Sequence, residues 1–309
     1  MKIVFMGTPD FAVGTLDALY KAGHEITAVF SQPDKPQGRK MILTPPPVKV
    51  LAEQLGIPVY QPKTLRDEAA YELLERLEYD LMVVVAYGKI LPENILNMPK
   101  YGCMNIHGSI LPKYRGAAPI QWSIICGETK TGVTAMYMDE GIDTGDIIEI
   151  AETDISESDT AETLFERLAV MGAELAVKTV ENIQNGSVTR TKQNENEATY
   201  APIITKDMAK IDFSKSATEI VNLVRGLIGW PTAFFFLDGS RVKVYLAAAT
   251  SGENKPVGTV ICSKDKLIVQ AGNNTAVEFL EVAPEGKGKM KVRDMLNGRK
   301  IAEGSNLCG

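Results

Sequence analysis

Asn105, His107 and Asp143 are the residues of this chain whose types and spacing best fit chemistry. The first two stand in Asn105-Ile106-His107-Gly108-Ser109-Ile110-Leu111-Pro112, the third in Gly141-Ile142-Asp143-Thr144-Gly145-Asp146. An amide, an imidazole and a carboxylate are what a protein needs to move an acyl group without a covalent intermediate. Residues two apart on a strand leave the same face, so Asn105 and His107 can address one reacting carbon. The Pro-containing run after them must leave the sheet as a loop. That loop then lies at the strand's carboxyl end, where open α/β sheets bind ligands. The glycines around Asp143 permit a tight turn that aims the carboxylate inward, although the same residues also suit a plain Asx turn. His24 follows Gly23, a helix-ending residue, and reads as a packing residue or a helix-end cation.

The elements that must position these residues alternate along the chain. Strand-like runs at Lys2 to Met6, Ile26 to Phe30, Leu81 to Ala86 and Cys103 to His107 are interleaved with helical patterns over Phe11 to Lys21 and Glu68 to Leu77. That order predicts a parallel sheet covered by helices. A long helical pattern from Thr160 to Ile183, with Leu164, Leu168, Met171, Leu175 and Val180 on one side, finishes a first domain expected over residues 1–190. The polar stretch Thr191 to Thr199 opens a linker expected over 191–206. Residues 207–309 then hold a helix near Ala217 to Leu227. Short strands follow at Thr232 to Leu237, Val242 to Ala247, Gly258 to Cys262, Leu267 to Ala271 and Ala276 to Val282. Strands so short and closely spaced predict a small β-barrel of the kind that often holds nucleic acid.

Length and composition bound the function. At 309 residues the chain is long enough for two domains, each with a core. The net charge of −6 argues against indiscriminate nucleic-acid binding, but the charge is uneven. Residues 207–309 carry 14 Lys and Arg against 11 Asp and Glu, leaving 19 against 28 in residues 1–206. Near the end Lys287, Lys289, Lys291, Arg293, Arg299 and Lys300 face only Glu285 and Asp294, which suits either a solvated basic face or a resting place for a polyanion. Cys103, Cys126, Cys262 and Cys308 are scattered without a Cys-x-x-Cys pair, as expected of thiols in a reducing cytoplasm. The apolar run at the start is too short for a secretory leader, and no run approaches membrane-spanning length, so no membrane partner is expected.

Several chemistries are disfavoured. Gly7-Thr8-Pro9-Asp10-Phe11 lacks the glycine pattern of a dinucleotide fingerprint and has a Pro where a phosphate would want a free amide. There is no phosphate-binding Lys loop, Gly-x-Ser-x-Gly elbow or His-Glu-x-x-His helix. With only two histidines, no metal is expected. A further loop, Ser31 to Pro47, is too long and Pro-rich for a routine connection. Lys35, Arg39 and Lys40 make its tip basic against Asp34, and Met41, Ile42 and Leu43 add an apolar edge able to wedge against bases. A surface connector is the plainer alternative.

Taken together, these motifs resemble the methionyl-tRNA formyltransferase family over the whole chain. The carrying residues are Gly7-Thr8-Pro9-Asp10-Phe11, Gln32-Pro33-Asp34 with Gly38-Arg39, Pro47-Val48-Lys49, Asn105 through Gln121, Met138 through Asp146, Ala198-Thr199-Tyr200-Ala201 and Ile211-Asp212-Phe213. The Asn-x-His, Ser-x-Leu-Pro and Asp-Thr-Gly group is common to 10-formyltetrahydrofolate transferases of this fold and identifies the donor only. The long basic loop and the C-terminal barrel identify the acceptor. The resemblance implies an N-terminal Rossmann-like formyltransferase domain with a mostly parallel sheet, followed by a small OB-like β-barrel domain that binds tRNA. It implies formyl transfer from 10-formyltetrahydrofolate to the α-amine of methionyl initiator tRNA in the cytoplasm, by a monomer without metal. By that likeness Asn105, His107 and Asp143 are catalytic, Ser109, Ile110, Leu111 and Pro112 line the folate site, and Arg39 and Lys40 contact tRNA. A donor from Asn105 or His107 aimed at the tetrahedral oxyanion is worth roughly 3 kcal/mol. Asp143 beside His107 favours the imidazolium and can relay a proton through water to the departing N10. The alternative is a transferase of the same donor acting on a small amine or sugar nucleotide, which has no need of the basic tail.

Overall fold

Runs that are apolar on both faces make the spine of a parallel sheet, and amphipathic helices cover it. In the computed structural model, which describes residues 1–38 and 40–308, the chain opens with β1 (Lys2–Gly7), α1 (Asp10–Lys21) and β2 (Glu25–Phe30). Asp10 sets a negative charge in the first turn of α1, where the helix dipole favours it. Phe11, Ala12, Leu16 and Leu19 give that helix its buried face. Next come β3 (Lys35–Gln37), β4 (Ile42–Thr44), α2 (Pro47–Gln54), β5 (Val59–Tyr60), α3 (Glu68–Glu75) and β6 (Leu81–Val85). The Asp67 carboxylate caps α3 by accepting from the Ala70 amide at 3.0 Å. The chain continues through α4 (Glu93–Leu96), β7 (Cys103–His107), β8 (Arg115–Gly116), α5 (Pro119–Ile125), β9 (Lys130–Tyr137), β10 (Ile147–Asp154), α6 (Ala161–Gln184) and β11 (Tyr200–Ala201).

Seven strands form one sheet in the order β10-β9-β7-β6-β1-β2-β5. The chain builds outward from β1 through β2 to β5, then returns to lay β6 and β7 on the other side of β1, all parallel. The carboxyl ends beside such a reversal are where this sheet type leaves a crevice. Strand β9 joins β7 antiparallel, with Thr134 opposite His107. Every residue of β6 and β7 is buried.

The Pro-rich loop is a hairpin. β3 and β4 pair antiparallel, Gly38 turns at φ +67°, and the Met41 amide donates to the Gly38 carbonyl at 3.2 Å. Lys40, Met41, Ile42 and Leu43 are exposed at its tip; Arg39 lies outside the described residues. The base is fastened by Lys49, whose ammonium donates to both Asp34 carboxylate oxygens and to Gln61 Oε1, all at 2.9 Å.

The contacts divide the chain into two compact units that are not contiguous in sequence. One comprises Met1–Pro119, Thr131–Thr153 and Phe165–Ala201; the other comprises Ile120–Lys130, Asp154–Leu164 and the chain from Pro202 onward. Arg225 shows why the second unit recruits distant segments: its Nη1 donates to the carbonyls of Ser156, Glu157 and Asp159 at 2.9 to 3.1 Å. Trp122 Nε1 likewise donates to the Pro202 carbonyl at 2.8 Å.

The second unit holds α7 (Ala217–Gly226), β12 (Phe234–Leu237), β13 (Ser240–Ser251), β14 (Val260–Cys262), β15 (Leu267–Gln270), β16 (Thr275–Pro284), β17 (Met290–Lys291) and α8 (Val292–Gly298). A reciprocal cap between Ser216 and Glu219 starts α7. The strands follow one antiparallel path, β12-β13-β16-β15-β14, with β17 on β16. Register shifts at Val244, Leu246 and Ala247 bend the long β13 and curl the sheet into a half-barrel of OB-like kind. Phe235 stacks on Phe279 at 4.9 Å inside it. Among the described residues no helix is long and apolar enough to cross a membrane.

Candidate active site

Because β7 is extended, Asn105 and His107 leave it on one face, and the neighbours β6 and β9 bury both to under a tenth of their free surface. One backbone group and one side chain then set the imidazole. Nε2 lies 2.9 Å from the Tyr114 carbonyl, and Nδ1 lies 3.5 Å from Asp143 Oδ2. A carbonyl only accepts, so Nε2 carries a hydrogen. Nδ1 faces the Asp143 carboxylate. The Asn105 amide has no hydrogen-bond partner among the described residues, although it is nearly buried beside that ring. Its amide atoms still reach solvent, which leaves them free to meet a ligand.

Asp143 is held by its turn. It sits at φ +55°, and its Oδ2 accepts from the Gly116 amide at 2.8 Å. The turn is cinched by Asp139, whose Oδ1 accepts from the Gly141 amide at 3.0 Å and the Thr144 hydroxyl at 2.6 Å. A Cβ at Gly145 would stand 1.8 Å from the Tyr137 carbonyl oxygen, so this close return of the chain admits glycine alone.

The run Ser109 to Pro112 forms the loop leaving β7. Ser109 is fully buried and its hydroxyl donates to the Lys113 carbonyl at 2.6 Å; Leu111 is buried as well. Thr134 ties the loop down, donating to the Ser109 carbonyl at 2.6 Å and accepting from the Leu111 amide at 3.2 Å. Ser109 and Leu111 therefore shape the loop from within, and Ile110 and Pro112 keep partly open surface. Lys40, at the hairpin tip, is joined to the Asn105, His107 and Asp143 cluster by no hydrogen bond or ion pair among the described residues.

Sequence reasoning missed Thr134, the Tyr114 carbonyl and the Gly116 amide. It also missed the residues after β6, where Ala86 is left-handed at φ +47° and Ala86, Gly88 and Ile90 are exposed beside β7. The left-handed Ala86 left no signal in the sequence, since Gly, Asn and Asp are the residues that announce that conformation. Cys103, at the start of β7, belongs to the core: burial pushes its thiol up to about 12. Among the described residues no three His, Cys, Asp or Glu side chains converge as a metal ion would require.

Comparison with known proteins follows the same two parts. Residues 1–180 match the formyl transferase family, and residues 203–300 match the formyl transferase C-terminal domain. The methionyl-tRNA formyltransferase of Alkaliphilus oremlandii is 50% identical over 99% of both chains, and that of Bacillus subtilis is 45% identical over 99% of this chain and 97% of its own. In fold the chain is similar to an N-formyltransferase from Helicobacter canadensis solved with folinic acid and dTDP-3-aminofucose (TM-score 0.69, 22% identity, 90% of this chain and 98% of that one). It is similar also to HypX from Aquifex aeolicus solved with tetrahydrofolic acid (TM-score 0.61, 18% identity, 98% of this chain and 48% of that one). At 45–50% identity over nearly the whole length of both chains, with an amide, an imidazole and a carboxylate gathered at the carboxyl end of β7, this chain belongs to the formyl transferase family, among the methionyl-tRNA formyltransferases.

Proposed function

We propose that the protein transfers the formyl group of 10-formyltetrahydrofolate to the α-amine of methionyl initiator tRNA by direct attack of the amine. The observation that carries this reading is the Asn105, His107 and Asp143 cluster in a chain so similar end to end to methionyl-tRNA formyltransferases. Asn105 donates to the formyl oxygen as it gains negative charge, a donor worth about 3 kcal/mol; both nitrogens of His107 are engaged, so it joins only by exchanging the Tyr114 carbonyl for that oxygen. Asp143 keeps His107 oriented, and passes the amine's proton through water toward the departing nitrogen. The donor lies against Ser109 to Pro112, where Ile110 and Pro112 offer apolar surface.

Residues 1–190 carry the chemistry, residues 191–206 join the two parts, and the basic residues 207–309 hold the tRNA body. Arg39 and Lys40 on the hairpin contact the acceptor end. The enzyme works in the cytoplasm as a monomer and needs no metal. The test supplies 10-formyltetrahydrofolate with methionyl initiator tRNA, glycinamide ribonucleotide or an amino-sugar nucleotide in parallel. Formylation of the tRNA at least a hundredfold faster is expected, a preference of about 2.7 kcal/mol. Preference for either small amine overturns the acceptor.

A further inference from the structure

The segment expected only to join two domains grips the Asp143 turn. Arg115 stands between the Tyr114 carbonyl that meets the imidazole and the Gly116 amide that holds the carboxylate, and it is the largest side chain with no exposed surface. A guanidinium out of water is costly unless its donors are used. Here Nε and Nη2 donate to Gln193 Oε1 at 3.0 and 2.9 Å, while Nη1 and Nη2 donate to the two Glu195 carboxylate oxygens at 2.9 and 2.7 Å. The Gln193 amide nitrogen in turn donates to the backbone carbonyls of Asp143 and Gly145, both at 2.8 Å. One glutamine thus accepts twice from a buried cation and donates twice to the turn, which uses its whole hydrogen-bonding capacity. Its backbone is steadied on either side: Thr191 pairs with Ile147, and β11 pairs with β8.

Asp143 occupies a left-handed conformation, uncommon outside glycine although Asp and Asn adopt it more readily than other side chains. Gln193 is a side chain from a distant segment that bonds the Asp143 carbonyl. We infer that Gln193, presented by Arg115, is a positioning residue for formyl transfer, fixing the backbone of Asp143 and through it the carboxylate's approach to His107. This rests on the roles proposed above for His107 and Asp143.

The test is steady-state kinetics of Gln193→Ala and Gln193→Glu, each alone and combined with Asp143→Asn, with folding checked by circular dichroism. Gln193→Glu keeps the size of the side chain and its acceptor contacts to Arg115, so it carries the test if Gln193→Ala fails to fold. Each single change should lower kcat about tenfold to a hundredfold, the loss expected when a reacting group is misplaced by about 1 Å. KM for both substrates should stay within about twofold. In the Asp143→Asn background the same change should cost less than about threefold, because the group it positions has already lost its charge. Unchanged kcat, a rise in KM alone, or an undiminished further loss beside Asp143→Asn overturns the inference and leaves the catalytic reading standing. Full activity of Asp143→Asn by itself removes both.

Discussion

At the scale of single residues the site divides into groups that act and groups that hold. His107→Ala, Asn105→Ala and Asp143→Asn should each cut turnover strongly while leaving tRNA binding largely intact, because all three act on the transition state. Their losses should be non-additive, as for residues that work as a unit. Turnover above about a tenth of wild type in the His107→Ala, Asp143→Asn double variant, a deficit under about 1.4 kcal/mol, would refute the mechanism. Thr134→Val is a different case, since it strips the hydroxyl that bonds both Ser109 and Leu111. It should lower stability by about 1–3 kcal/mol and raise KM for the folate donor, which thermal unfolding and kinetics will read separately. Asn105, His107 and Asp143 were legible because a polar pair two apart before a Pro-bearing loop, and a carboxylate between glycines, leave a pattern in the sequence. The Tyr114 carbonyl and Gly116 amide that orient two of them were not, since backbone groups carry no side-chain signature.

Among the elements, the β3–β4 hairpin is the one whose base and tip differ most. Its base is locked by Lys49, Asp34 and Gln61, and its tip offers Lys40 and three exposed apolar residues. Lys49→Met should loosen the base, speed amide exchange over residues 35–44 and raise KM for tRNA without touching folate binding; unchanged exchange would show that the hairpin needs no anchor. The Gln61 amide first, then the Lys49 ammonium, hold the Asp34 carboxyl below the usual aspartate range. The folded value is the depressed one, so the anchor's contribution is fully present above the unfolded value of about 3.9 and is lost only as pH falls through the lower folded value. Hairpin protection should therefore persist at pH 5 and disappear in stronger acid, and a loss near neutrality would contradict that ordering. The loop's special status was legible from its length and prolines, but its pairing was not, because Pro36 and exposed residues on both strands give no alternating pattern. The polar run 191–199 misled in the other direction. Its composition is that of a connector, yet Gln193 and Glu195 are spent on Arg115, a partner 78 and 80 residues away that no local pattern announces.

For the whole molecule, charge is the property that sequence alone conveys best. The excess of 14 basic over 11 acidic residues in 207–309 should make tRNA binding weaken steeply with salt, through release of counterions. Replacing Lys287 and Arg293 together by Ala should reduce the slope of log K against log salt by about 2 if both meet phosphate, and an unchanged slope would return them to an ordinary solvated face. Both folds were legible in outline from strand spacing, whereas the membership of the compact units was not. Arg225 binds carbonyls 66 to 69 residues earlier in the chain, and such pairing is decided by the fold, not by neighbours in sequence. One consequence reaches beyond this molecule. The left-handed backbone at 143 readily accepts Gly, Asn and Asp and little else, so folding filters that position before chemistry does. If structure were the sole demand, drift among relatives would supply Asn and Gly there freely. Aspartate kept alone at this position across active relatives would thus be a record of selection on the carboxylate itself, separated from selection on the turn.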